Sequence, residues 1–297
     1  MIEINKYLDG ILDDFEQYIS SDVELCNLKK VHFDAGKVPD YSDIHSQQLY
    51  LLRYCYAYAF EYKRMYQMLK DTITLNNPLT VTSVGCGNMV DYWALAHSVG
   101  TKQKIYYRGV DFIDWNYKFS PRFQDKVEFF CKDAVQYFKD APEMSADIYF
   151  FPKSISELPT ADVKTICDIL RRKHFCQDTV SFLFSLRTDE GSLARDVAKT
   201  KLFYNAMREC GFQTDDSPTV VTSFNEKYKD QKICDLDREF RHPWRVVNFL
   251  KDLHTHCVNY DGDCCEDDCE SRLDRWPVLK CKKMMWQLFQ FRRGNCK

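Results

Sequence analysis

Between residues 79 and 186 the chain alternates short apolar runs with helical patterns, and this alternation constrains its fold more than any other feature. LTVTSVG (79–85), KIYYRGVD (104–111), KVEFFCKD (126–133), ADIYFFP (146–152) and TVSFLFSL (179–186) read as strands. Met89 to Val99, Ala134 to Lys139 and Ala161 to Lys173 read as the helices between them, and a further helix from Ser192 to Cys210 ends at Gly211. Strands alternating with helices form βαβ units, so the expected fold class is α/β: a doubly wound, mostly parallel sheet with helices on both faces. Upstream, Leu51, Tyr54, Tyr58, Tyr62, Met65 and Leu69 mark one face of a long helix that Asn76-Asn77-Pro78 stops. Downstream, TVVTSF (219–224) and MMWQLFQF (284–291) read as strands. The chain therefore divides into an N-terminal helical cap (1–75), a core (76–224), a cysteine-rich insertion (225–283), and the core's final strand with a tail (284–297).

With 297 residues, 45% of them hydrophobic, there is ample material for a core. A net charge of −3 argues against a globally basic nucleic-acid binder. No apolar run approaches the roughly 18 residues that span a bilayer. The acidic start, MIEINKYLDGILDDFEQY, has neither the basic region nor the apolar stretch of a signal peptide, so a soluble, cytoplasmic chain is expected. Of the 14 cysteines, eight between Cys26 and Cys234 sit largely in apolar runs, where reduced thiols pack as small hydrophobes; six fall in the last 41 residues.

Ser83-Val84-Gly85-Cys86-Gly87-Asn88 lies where the first strand turns into a helix. Glycine permits the tight turn and close approach of a ligand, and the helix start offers free amides. Asp111 closes the next strand, 26 residues after Gly85, where a carboxylate can accept from both ribose hydroxyls; Asp133 closes the third. A glycine turn beside two acidic strand ends describes an adenosine pocket at the carboxyl edge of a sheet. The alternative is solvated carboxylates at strand ends. The NAD fingerprint needs Gly or Ala where Val90 stands, which weakens a nucleotide-dependent oxidoreductase; no phosphate-binding GxxxxGK[ST] occurs.

TSVGCGNMVDYWAL, YRGVDFIDW, VEFFCKDAVQYF and ADIYFFPKSISELP, in this order and spacing, resemble the successive motifs of the class I S-adenosylmethionine-dependent methyltransferases. The likeness covers residues 79–224, with Met284 to Phe291 as the family's final antiparallel strand. It implies a Rossmann-like domain with S-adenosylmethionine as cofactor. Gly85, Cys86 and Gly87 would line the methionine moiety, Asp111 with Phe112 the ribose, and Asp133 with Ala134 the adenine. Pro152 and Ser154, after strand four, would complete the cofactor-binding set. The departure is Met89, which stands where many members have a third glycine.

The loop Phe151-Pro152-Lys153-Ser154-Ile155-Ser156-Glu157-Leu158-Pro159 presents groups to the transferred methyl in this fold. It lacks the Asn/Asp-Pro-Pro-aromatic sequence of enzymes that methylate exocyclic base nitrogens, and the cysteine of cytosine-C5 enzymes. Lys153 and Glu157 are the candidate catalytic residues, as acceptors of a proton from a hydroxyl or amine. Against that reading, Ser154 and Glu157 also match an S-x-x-E capping box. The tyrosines of the long helix, from Tyr50 to Tyr66, are expected mainly to pack.

His254, His256, Cys257, Cys264, Cys265, Cys269 and Cys281 are dense enough for zinc or an iron–sulfur cluster, with Cys257, Cys264, Cys269 and Cys281 as the candidate metal ligands. Their spacing matches no common zinc-finger rhythm, and a flexible acidic loop with reduced thiols is the competing description. ISELP and the late cysteines followed by a basic aromatic strand also resemble, more faintly, methyltransferase-like proteins of small-ribosomal-subunit assembly, which implies a metal cluster and RNA binding. Lys280, Lys282, Lys283, Arg292 and Arg293 around Trp286, Phe289 and Phe291 would form the RNA-facing patch, or simply the ends of an ordinary strand. The function expected is methyl transfer to an oxygen or nitrogen of a small molecule or peptide, with no membrane partner. The alternative is a non-catalytic, metal-containing RNA-binding or ribosome-assembly factor.

Overall fold

The computed structural model describes residues 3–20, 23–31, 40–225, 242–260, 269–278 and 283–294. They fall into two compact units, one of residues 1–60, 115–120 and 232–281, the other of residues 61–114, 121–231 and 282–297.

The first unit is helical. Helix α1 (Ile4–Ile19) buries Leu8, Ile11, Leu12, Phe15 and Ile19, one apolar face at three- and four-residue spacing. Helix α2 (Ile44–Tyr50) is N-capped by Asp43, which accepts from the Ser46 amide at 2.7 Å. It continues through a π-helical turn (Leu51–Cys55) into α3 (Tyr56–Thr72), which the unit boundary divides after Phe60. After the segment of 232–241 come α8 (Trp244–Lys251), a 3₁₀ turn (Leu253–His256) and α9 (Cys269–Leu273). Arg53, only 1% exposed, stitches these pieces together. Its guanidinium donates to Val31 O at 2.8 Å, Leu273 O at 2.7 Å and Arg272 O at 3.1 Å, which satisfies the last carbonyls of α9. Burial lowers its pKa to about 10. Tyr50, Tyr54 and Tyr58 stack along one helix edge with centroids 5.3 and 6.3 Å apart, so the tyrosine stripe here is packing.

The second unit carries the sheet. Its strands are β1 (Leu79–Val84), β2 (Ile105–Asp111), β3 (Lys126–Cys131), β4 (Ile148–Phe151), β5 (Thr179–Leu186), β6 (Phe212–Gln213), β7 (Thr222–Asn225) and β8 (Lys283–Arg293). Their order is β3-β2-β1-β4-β5-β8-β6, with β7 also on β8. The first five strands are parallel, and β8 runs antiparallel to β5, pairing Thr179 with Arg292 through Leu186 with Met285. Helices α4 (Val90–Val99), α5 (Ala134–Asp140), α6 (Thr160–Leu170) and α7 (Glu190–Glu209) join them. Every residue of β4 is buried because both faces are covered. Phe150 meets Tyr62 and Tyr66 of α3 on one face; Tyr149 and Phe151 join Phe182, Phe184, Phe203 and Phe289 in the core on the other.

The expected strands and helices are present, with two differences in the strands after α7. As expected, no helix joins β2 to β3; near the end of that connection Asp125, its side chain inaccessible, accepts from Tyr92, Arg122 and the Ile105 amide. Phe212–Gln213 adds a strand too short to show as a period, and the strand expected at 219–224 lies at Thr222–Asn225. The RNA-facing patch is corrected outright. Trp286, Phe289 and Phe291 are at most 5% exposed: Phe289 and Phe291 enter the core from one face of β8 and Trp286 is covered on the other, so they offer no stacking platform. Among the described residues, no helix is long and apolar enough to cross a membrane.

Candidate cofactor site

Strand order reverses between β1 and β4, since β2 and β3 lie on one side of β1 and β4 and β5 on the other. In open α/β sheets the crevice at such a switch point, at the carboxyl ends of the strands, is where ligands bind. The glycine turn leaves β1 at this place. Gly85 and Gly87 have φ of +72° and +54°, and both Gly85 N–H and Cys86 N–H donate to Val110 O, at 2.7 and 3.2 Å. A Cβ on Gly85 would stand 2.3 Å from Ser154 Cβ. The turn and the loop after β4 thus touch, backbone against side chain. Met89 has φ +63°, ψ +34°, the left-handed conformation that a third glycine would supply, and its side chain is buried. The turn keeps that shape without the glycine.

Asp111 is 8% exposed and organises the turn. Gly87 N–H donates to its Oδ2 at 2.8 Å and Ile113 N–H to its Oδ1 at 3.0 Å, which fixes a carboxylate at the strand end. Phe112, beside it, is 66% exposed, an apolar ring held out at the lip of the crevice. Cys86 turns its thiol onto Gly109, where a Cβ would stand 2.8 Å from Sγ. Burial pushes that thiol well above its ordinary pKa, so it is a packed neutral group. Beneath the turn, Asp91 is fully buried and accepts from the Tyr107 hydroxyl at 2.8 and 2.9 Å; burial raises its carboxyl to about 7.

The remaining residues expected from sequence divide. Pro152 and Ser154 are buried next to the turn, and the Ser154 hydroxyl donates to Val84 O. The capping box is therefore absent: the hydroxyl goes to a distant carbonyl, and Pro159, without a side-chain cap, precedes α6. Asp133 accepts from Gln136 N–H at 3.1 Å as N-cap of α5, so one carboxylate oxygen serves the helix, and Ala134 opens that helix. Lys153, at φ +59°, is an anchored ammonium: Nζ lies 2.8 Å from Glu61 Oε1 and donates to Leu186 O at 2.6 Å. Glu61 has no exposed surface and also accepts from the Ser185 hydroxyl. Glu157 stands 3.6 Å from Arg187, with 34% of its side chain accessible. The protein around it, helped by the charge of Asp111 and opposed by Arg187, pushes its carboxyl up to about 7. Glu61 and Arg187 carried no sequence signal, since each acquires its meaning only from the loop after β4.

Of the cysteines expected to hold a metal, Cys264 and Cys281 lie outside the described residues. Cys257 and Cys269 are buried in the first unit, and among the described residues no three His, Cys, Asp or Glu side chains group to hold an ion.

The sheet is mostly parallel, with β8 antiparallel beside β5, the doubly wound α/β arrangement expected from the sequence. No family model matches the chain, and no curated protein does. Similar solved structures include a putative sarcosine dimethylglycine methyltransferase from Galdieria sulphuraria (12% identity, 78% of this chain and 85% of that one, TM-score 0.38). A mycolic acid cyclopropane synthase, complexed with SAH and CTAB, is similar at 10% identity over 90% of this chain and 94% of that one, TM-score 0.41. A Haemonchus contortus phosphoethanolamine N-methyltransferase is similar at 13% identity over 86% of this chain and 62% of that one, TM-score 0.41.

Proposed function

We propose that the chain is an S-adenosylmethionine-dependent methyltransferase acting on an oxygen or nitrogen of a small molecule or peptide. The observation that carries this reading is the glycine turn locked to Asp111 through Gly87 N–H, with Phe112 exposed beside it, at the switch point of the sheet. The donor set fits the cofactor. Asp111, with Phe112 beside it, is a fixed carboxylate where ribose hydroxyls would lie, Asp133 and Ala134 stand where adenine would, and the Gly85–Gly87 backbone lets a methionine moiety approach closely. When bound, the cofactor supplies a methyl on a positively charged sulfur, which passes to a lone pair and leaves a neutral thioether. The chain's own task is then to place the acceptor in line and to take its proton. Glu157 is suited to the second task, because a carboxyl near 7 is half ionised at neutral pH and accepts a proton readily. Lys153, anchored by Glu61 and Leu186 O, shapes the loop and is not the base.

The test is incubation of the purified chain with methyl-tritiated S-adenosylmethionine and a deproteinised cell extract. Label is expected in the small-molecule or peptide fraction and absent with Asp111→Ala. Label confined to RNA, or no transfer by a chain that binds the cofactor, would contradict the reading and favour the non-catalytic alternative.

A further inference from the structure

Two ion pairs sit side by side at the carboxyl ends of β4 and β5, and they differ in kind. The inner one, Lys153 with Glu61, is closed: the carboxylate has no exposed surface and the ammonium is shared with Leu186 O. The outer one, Arg187 with Glu157, is accessible. Its members stand 3.6 Å apart and keep 25% and 34% of their side chains accessible. Both ends of the outer pair are braced from α7. Asp196, 1% exposed, accepts from Arg187 N–H at 3.3 Å and from the Ser156 hydroxyl, and Lys199 donates to Ile155 O at 2.9 Å. An accessible pair on a rigid mount is an arrangement that a ligand can reach.

We propose that the acceptor presents an acidic, phenol-like hydroxyl rather than an amine, with Glu157 taking its proton and Arg187 holding the resulting oxyanion. The inference rests on the methyltransferase reading of this site. In the step, the acceptor O–H bond breaks, the proton goes to the Glu157 carboxylate, and the electron pair stays on oxygen as the nucleophile. Charge is conserved locally: the Glu157⁻/Arg187⁺ pair becomes neutral Glu157 and an oxyanion/Arg187⁺ pair. An ammonium entering the same place would meet the Arg187 cation, and a methylated amine would leave a positive charge there. Arginine suits the role because its planar fork stays charged and fits an oxyanion. The charged groups facing Glu157 are Arg187 and, more remotely, Asp111; together with the enclosing protein they bring its carboxyl to about 7, which matches an acidic hydroxyl far better than an alcohol.

The test uses the full chain saturated with S-adenosylhomocysteine, its binding verified by calorimetry, and 4-nitrophenol as probe at mildly acidic pH. A saturable phenolate absorption band is expected. Arg187→Met should weaken it by more than about tenfold, the loss that follows from removing one member of such a pair, while S-adenosylhomocysteine affinity stays unchanged; Arg187→Lys should restore part of the band. Absence of the band on the loaded protein, an undiminished band in Arg187→Met, or tighter binding of benzylamine than of the phenol would overturn the proposal. Loss of S-adenosylhomocysteine affinity in Arg187→Met would assign the arginine to the cofactor's own carboxylate and overturn it too. Failure of the wild-type chain to bind S-adenosylhomocysteine at all would instead sink the parent reading.

Discussion

Replacing Gly85 by alanine should damage the turn in two separable ways. The residue sits at φ +72°, where an L side chain costs about 1–2 kcal/mol. The new methyl would also lie 2.3 Å from Ser154 Cβ, in a loop whose neighbours on both sides are packed. Overpacking of this kind costs about 1–3 kcal/mol, so Gly85→Ala should lose about 2–5 kcal/mol in all. Ser154→Gly removes the clashing Cβ and supplies a way to divide the total. Alone it should cost about 1–2 kcal/mol, through the lost hydroxyl bond to Val84 O and a looser unfolded chain. In the double variant the overpacking vanishes and the backbone strain remains. Urea unfolding of the four proteins should therefore show a favourable coupling of about 1–3 kcal/mol. Additivity within about 0.5 kcal/mol, or a Gly85→Ala protein of wild-type stability, would refute the close contact between the turn and the loop after β4.

Arg53→Met should destabilise by about 3 kcal/mol or more, since Val31, Arg272 and Leu273 carbonyls lose a charged donor; urea unfolding followed by tryptophan fluorescence reads it, and a change below about 1 kcal/mol would show that the carbonyls find other donors. Asp91 has a folded pKa of about 7, above its ordinary 3.8, so it favours the folded state below pH 4 and progressively less as pH rises through 7. Asp91→Asn should therefore flatten the pH dependence of the urea midpoint across that window, and an unchanged slope would contradict the burial of an ionisable group there. Glu157 must be ionised to accept a proton, so kcat/KM should rise with pH through about 7, with Glu157→Gln removing that limb. A profile whose limb survives the substitution would place the base elsewhere.

What the sequence made legible was local. Strands β4 and β5 announce themselves because a strand covered on both faces is apolar at nearly every position, and FFP and the glycine punctuation mark where they end. Gly85, Gly87 and Asp111 could be found by spacing, because a tight turn and an acidic strand end are properties of neighbouring residues. Groups whose role depends on distant partners stayed hidden. Ser154-x-x-Glu157 reads as a capping box until the fold offers Val84 O, and the partner of Lys153, Glu61 of α3, lies 92 positions away along the chain. The aromatic residues of β8 illustrate the same point from the other side. Basic flanks suggested a surface, yet β8 is covered on both faces there, with Phe289 and Phe291 buried on one side and Trp286 on the other. Met89 is the subtler case: its left-handed backbone cannot be inferred from a methionine, although the position in the turn demands it.

The central claim is that the turn from Gly85 to Gly87, held by Asp111, receives an adenosyl cofactor. Isothermal titration of the full chain with S-adenosylhomocysteine, in parallel with Asp111→Ala shown to be folded by circular dichroism, tests it most directly. Saturable micromolar binding by the wild type, lost or greatly weakened in the variant, is the expected result. No binding by the folded wild type, or equal binding by both proteins, would contradict it.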